Sequence, residues 1–230
     1  MAEFWENAVY FGATLTFLTY GIAVAVKGKF KHALLNPILI SMLLCIVFLK
    51  TFQIEYDVYY DGAKYINYLL TPATVCLAIP LHNQFQLLKK NRTAVLAGIA
   101  SGVITSLCVI LGLSVLMRVG HGAYVSMLPK SITTAIGMDV SQQLGGDVPV
   151  TVAVILITGI LGNAIAETVF RMFGITHPIA RGVALGTASH AVGTAKALEL
   201  GEVEGAMSSL SIVVAGILTV FAAPLFSMLY

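Results

Sequence analysis

Three stretches of this chain carry side chains suited to holding a small anion. The longest runs from Ala180 to Ser209 and lies between two long apolar segments. Its middle holds Gly182, Gly186 and Gly193 together with Thr187, Ser189, His190 and Thr194. Lipid offers no hydrogen bonds, so opened backbone and buried polar groups persist only against protein or a wet cavity. Ser189 and Thr194 are candidate donors to a substrate. His190 reads in two ways, as a proton relay or carboxylate ligand, or as a satisfied structural group. Gly186 and Gly193 are the expected structural breaks.

The second stretch, Leu128–Met138, places a proline, Lys130, Ser131, Thr133 and Thr134 at one helix start. Unpaired amides and the positive end of the helix dipole favour an anion there, and Lys130 adds a full charge. Two plainer accounts compete: a lysine reaching for the membrane interface, and hydroxyls bonded back to their own helix. The third stretch, Leu69–Leu81, holds Pro72 and Pro80. A helical proline frees a carbonyl and bends the axis. The segment is either a kinked packing helix or an opened one with Thr71 and Thr74 beside the break. Asn36 and Asn163 are secondary polar candidates, suited to bonds across helices. Local ion pairs are expected for Glu167 with Arg171 and for Lys196 with Glu199.

These residues sit in a chain of 230 residues that is 58% hydrophobic and only 10% charged, with mean hydropathy +0.90. Soluble domains average roughly 25% charged residues. The composition identifies an all-α, polytopic membrane protein in a lipid bilayer. A net charge of +2 gives no argument for nucleic acid. Cys45, Cys76 and Cys108 all lie in apolar runs, which suggests neither a disulfide framework nor a metal site. The N-terminus carries Glu3 and Glu6 and no basic region, so the first apolar run is expected to be a retained anchor.

A helix needs about 20 apolar residues to cross the hydrocarbon core. Clear spans are Ala8–Val26, Ala33–Leu49, Ala94–Met117, Val148–Val169 and Met207–Tyr230. Tyr65–Leu88 and Gly182–Leu200 are long enough but interrupted, giving about seven spans. Val125–Leu144 is short and polar, a re-entrant element. Lys27, Lys29 and Lys31, then Lys89, Lys90 and Arg92, mark cytoplasmic loops by the positive-inside rule. Arg171 and Arg181 bracket another. Gly182–Leu200 is then expected to run outward and the last span inward. The halves, about 1–118 and 121–230, are expected to form an inverted repeat within a single domain, each with an interrupted middle segment. That arrangement points to a transporter binding site.

The chain contains no nucleotide-binding loop, no HExxH and no paired catalytic carboxylates, so no enzyme and no cofactor is expected. It also lacks the mid-membrane acidic pair of Asp-based cation exchange. The motifs LNPILI (35–40), LLTPATVCLAIPL (69–81), LPKSITTAIGM (128–138) and ARGVALGTASHAVGTAKALELGEVEGAMSSLS (180–211) together resemble the LrgB/CidB family. The resemblance covers nearly the whole chain. It implies a bacterial inner-membrane, multi-pass protein with a small LrgA/CidA-type membrane partner, linked to murein hydrolase export and lysis. Through a plastid relative that translocates glycolate and glycerate, it also implies transport of small monocarboxylates. The expected function is a secondary carrier, proton-coupled or exchanging one acid for another, by alternating access. The rival is a partner-dependent, holin- or antiholin-like regulator. A homo-oligomer is compatible with either.

Overall fold

Apolar runs in this chain fold into helices, and the helices stop where proline, glycine or clustered hydroxyls intervene. The computed structural model describes residues 9–30, 37–69, 72, 75, 76 and 78–230. Every regular element among them is a helix. The chain divides into two compact units, Met1–Cys76 and Leu77–Tyr230. This division falls elsewhere than the 118/121 boundary of the expected pseudo-repeats.

The first unit contains α1 (Phe11–Phe30), α2 (Pro37–Thr51) and α3 (Tyr56–Asn67). Most of helix α3 lies in an acidic stretch, with Asp57 and Asp61, to which the sequence assigned no span. Tyr56, Tyr59, Tyr60 and Ala63 recur at helical spacing there, so one side is apolar while Asp57 and Asp61 face away. Gly12 of α1 and Gly62 of α3 cross so closely that a Cβ on either would strike the other helix's backbone. Hydroxyls complete the packing, with Thr16 Oγ1 2.8 Å from the Tyr59 hydroxyl and Thr19 Oγ1 3.0 Å from Ser41 Oγ.

Tyr65–Leu88 is not one helix. Helix α3 ends at Asn67, a turn follows at Tyr68–Leu69, and α4 covers only Ala78–Asn83. Pro72 is helical and exposed, and Pro80 lies within α4. Thr71, Thr74 and Asn36 lie outside the described residues.

The second unit continues with α5 (Phe85–Met117), α6 (His121–Met127), α7 (Thr134–Gln143), α8 (Val148–Met172), α9 (Pro178–Leu200) and α10 (Glu202–Ser227). Helix α5 has 33 residues, roughly 50 Å at 1.5 Å per residue. Its first turns absorb Lys89, Lys90 and Arg92, which were expected in a loop; both residue types are good helix formers. Among the described residues four helices are long and apolar enough to cross a membrane: Phe11–Lys29, Lys89–Met117, Val148–Met172 and Glu202–Ser227, with Pro37–Thr51 a shorter apolar one. Leu96, Ile104, Leu113 and Phe221 point outward while Ile99, Leu107, Tyr124 and Met207 fill the core. The protein is an all-α membrane protein.

Two helical hairpins enter this unit from opposite ends. Helices α6 and α7, of 7 and 10 residues, are each far too short to cross about 30 Å of hydrocarbon. Thr151, in the first turn of α8, donates to the Ser141 hydroxyl at 2.6 Å and the Ser126 carbonyl at 3.0 Å. Deeper along α8, a Cβ on Gly137 would meet both Ile155 and Pro129. The chain therefore runs inward along α6, turns over Leu128–Thr133 and returns along α7. This is the element expected to be re-entrant.

The second hairpin lies inside α9. Ser189 (φ −131°, ψ 16°) and His190 (φ 42°, ψ −136°) leave helical geometry. The break falls three to four residues beyond Gly186. A straight helix would hold Gly182 and Leu198 about 24 Å apart. Instead both touch the first turn of α10: a Cβ on Gly182 would strike the Glu204 carbonyl, and one on Gly205 would strike Leu198. A Cβ on Gly193 would meet the Leu185 carbonyl, so the second half folds back on the first. Registration on α8 agrees. Arg181 lies over Phe170, whereas beyond the break Val192 pairs with Asn163 and Lys196 with Glu167.

This reversal corrects the expected direction of the last two segments. Residues 182–200 go in and come back rather than cross, so α10 runs from the basic end toward the end where α5 finishes. There the Tyr124 hydroxyl donates to the Phe226 carbonyl at 2.7 Å, and the Tyr230 hydroxyl to the Val119 carbonyl at 2.6 Å.

Candidate functional site

Both hairpin tips reach the middle of α8. A Cβ on Gly137, from the first hairpin, would touch Ile155, whose carbonyl accepts from His190 Nε2 of the second at 3.1 Å. Between the tips and α5 lies a cavity of about 710 Å³. Its outer end is at Asn91 and the exposed His177, where α5 and α9 begin. Its inner end is lined by Thr105 and Ser106 of α5, Lys130 and Ser131 of the first tip, and Thr187 of the second hairpin. Small residues make the room: Gly98, Gly102 and Ser106 recur every four residues along α5, which places them on one face.

The polar groups at the inner end are incompletely matched. Lys130 is partly buried, and its ammonium donates to Ser131 Oγ at 2.8 Å. Ser131 Oγ lies 3.4 Å from Ser106 Oγ, a long contact. Lys130 forms no ion pair with a described carboxylate. Thr187 is 6% exposed, and its Oγ1 is buried without a hydrogen-bond partner. A buried hydroxyl without a partner costs about 1–3 kcal/mol. An uncompensated cation and an orphan donor at one end of a cavity together fit a carboxylate, which accepts from both.

The other sequence candidates take different places. Thr133 N-caps α7 through its backbone, its carbonyl accepting from Gly137 N at 2.8 Å. Neither Thr133 nor Thr134 lines the cavity. Ser189 and His190 face α8: a Cβ on Gly162 would strike Ser189 Oγ, and one on Gly159 would come within 2.8 Å of the His190 ring. Because a carbonyl only accepts, Nε2 of His190 must carry the proton. Thr194 is bonded to the His190 carbonyl at 3.0 Å and to Ser208 Oγ at 2.7 Å. Gly186 packs against Ser208 and Ser211 of α10, and Gly193 against the first half of its own hairpin. Asn163 donates to the Val192 carbonyl at 3.1 Å, the cross-helix bond its position suggested.

Lys196 pairs with Glu199 at 3.1 Å, as expected, and also with Glu167 at 2.6 Å. Arg171 Nε donates to the backbone carbonyl of Glu167 at 3.3 Å. Thr105, Ser106 and Thr187 were not among the candidates. Thr105 and Ser106 hide in an otherwise apolar span, though the Gly98–Gly102–Ser106 spacing was readable. Among the described residues no three His, Cys, Asp or Glu side chains gather as a metal would require.

Residues 16–229 match the LrgB-like family. The chain belongs to the LrgB family. Antiholin-like protein LrgB of Bacillus cereus (strain B4264) is 37% identical over 221 residues, 94% of this chain and 95% of that protein. The protein of the same name from Bacillus anthracis (strain A0248) gives the same figures. No solved structure matches. Both hairpins lie within the matched residues, the stretch 180–211 building the second and 128–138 the tip of the first.

Proposed function

We propose that this LrgB-family protein carries small monocarboxylates of the glycolate, glycerate or pyruvate kind across a bacterial inner membrane. The observation that carries the reading is Lys130, partly buried at a hairpin tip, unpaired with any described carboxylate and lining the same cavity as Thr187, whose hydroxyl is buried without a partner. A desolvated ammonium is costly without a counter-charge. A substrate carboxylate supplies one and takes hydrogen bonds from Thr187, Ser131 and Ser106. Under the positive-inside rule, the cavity's outer end near Lys89, Lys90 and Arg92 faces the cytoplasm. The opposite end is packed around the fully buried Tyr124 and its partner Tyr230. Alternating access then requires movement of the hairpin tips.

The second reading is an antiholin-like regulator acting with a small LrgA-type membrane protein, and the names of the relatives favour it. The test is uptake of labelled glycolate, pyruvate and lactate into proteoliposomes, with and without that partner. A carrier gives saturable, solute-specific uptake by this chain alone. A regulator gives none, or an unselective leak that depends on the partner.

A further inference from the structure

The carboxylate site occupies only one end of a much longer space. From Asn91 to Ser106 α5 rises about 22 Å, and both residues line the same cavity. Beyond the polar inner end the walls are Val95, Gly98, Ile179, Val183 and Ala184. Cavities of this volume, about 710 Å³, accommodate ligands far larger than a three-carbon acid. A two- or three-carbon acid seated on Lys130 leaves most of that apolar length without contact to the ligand. Lys130 is also the single fixed charge among the lining residues. A second carboxylate on the ligand would lie against aliphatic wall without a cation, which is unfavourable.

We infer that the preferred ligand is an amphipathic monocarboxylate, one carboxylate on Lys130 and Thr187 with an aliphatic tail of roughly four to eight carbons along α5 and α9. The inference rests on the carboxylate-site reading above and extends its ligands beyond two- and three-carbon acids. Burying the tail contributes affinity with each methylene until the space toward Asn91 and His177 is filled. Ala94 lines the cavity between Asn91 and Gly98, where a larger side chain would shorten the space left for the tail.

The test is equilibrium binding of acetate, butanoate, hexanoate and octanoate to the purified protein in nanodiscs, alongside hexan-1-ol and the six-carbon dicarboxylate. Affinity is expected to rise up to about fourfold per methylene from acetate to hexanoate. The dicarboxylate should bind at least tenfold more weakly than hexanoate, and hexan-1-ol should not displace hexanoate. Ala94→Phe should weaken octanoate about tenfold and leave acetate within twofold; Ala180→Leu serves if that variant does not fold. Affinity that is flat with length, or greatest for acetate, overturns the tail and leaves the carboxylate site standing. Equal binding of every acid by wild type and Lys130→Met, or no binding of any acid, overturns the site itself. Displacement of hexanoate by hexan-1-ol overturns both.

Discussion

Thr187 and Lys130 matter because each is incomplete as it stands. The Thr187 hydroxyl is buried without a partner, so replacing it by an apolar group of the same shape should relieve a cost in the empty protein. Thr187→Val is therefore expected to raise unfolding stability by about 1 kcal/mol or more. The same change removes a hydrogen bond to a charged ligand, worth roughly 1.5–3 kcal/mol, so pyruvate affinity should fall ten- to a hundredfold. Thermal unfolding and equilibrium binding on one preparation check both signs; unchanged affinity removes Thr187 from the site. His190 presents a different strain. At φ 42° it occupies backbone space that favours glycine. Helix propensity alone would rank His190→Ala above His190→Gly by about 1 kcal/mol. A hairpin tip at this residue reverses the order: both variants lose the bond to Ile155, but only glycine relieves the backbone. A more stable alanine variant would mean that residues 189 and 190 are helical.

At the scale of elements, the sequence showed where helices break but not where the chain goes next. Pro129 and the hydroxyls after it mark the first turn, and the short polar stretch around them leaves too few residues to cross, so that hairpin was legible. The Gly182–Thr194 composition marked the second interruption as clearly. Yet the same glycines suit a kinked crossing and a reversal; what separates them is Gly182 and Leu198 both closing on the start of α10, a contact no local pattern encodes. Helix α3 was not legible as a span because Asp57 and Asp61 interrupt the apolar run, although the tyrosine spacing beside them is helical. The reversal predicts a topology. With Cys45, Cys76 and Cys108 replaced, single cysteines at positions 90, 175 and 201 should react with an impermeant maleimide from one side of the membrane. Cysteines at 119, 146 and 229 should react from the other. Position 201 reacting on the same side as 119 would show that α9 crosses.

At the scale of the molecule, the second unit brings together parts that are 57 residues apart in the chain, Lys130 and Thr187, by inserting hairpins from opposite ends against α5 and α8. Composition was enough to read a membrane protein, and the motifs were enough to read the LrgB family. The cavity was not legible, because its walls are ordinary alanines, valines and glycines whose meaning lies in what they leave empty. The measurement that bears most directly on the account is uptake of labelled pyruvate into proteoliposomes containing this chain alone, at matched incorporation of wild type, Lys130→Arg and Lys130→Met. Saturable uptake by wild type is expected, reduced but measurable uptake with arginine, and uptake no greater than that of empty liposomes with methionine. Equal uptake by wild type and Lys130→Met, or a leak that does not saturate, would contradict it.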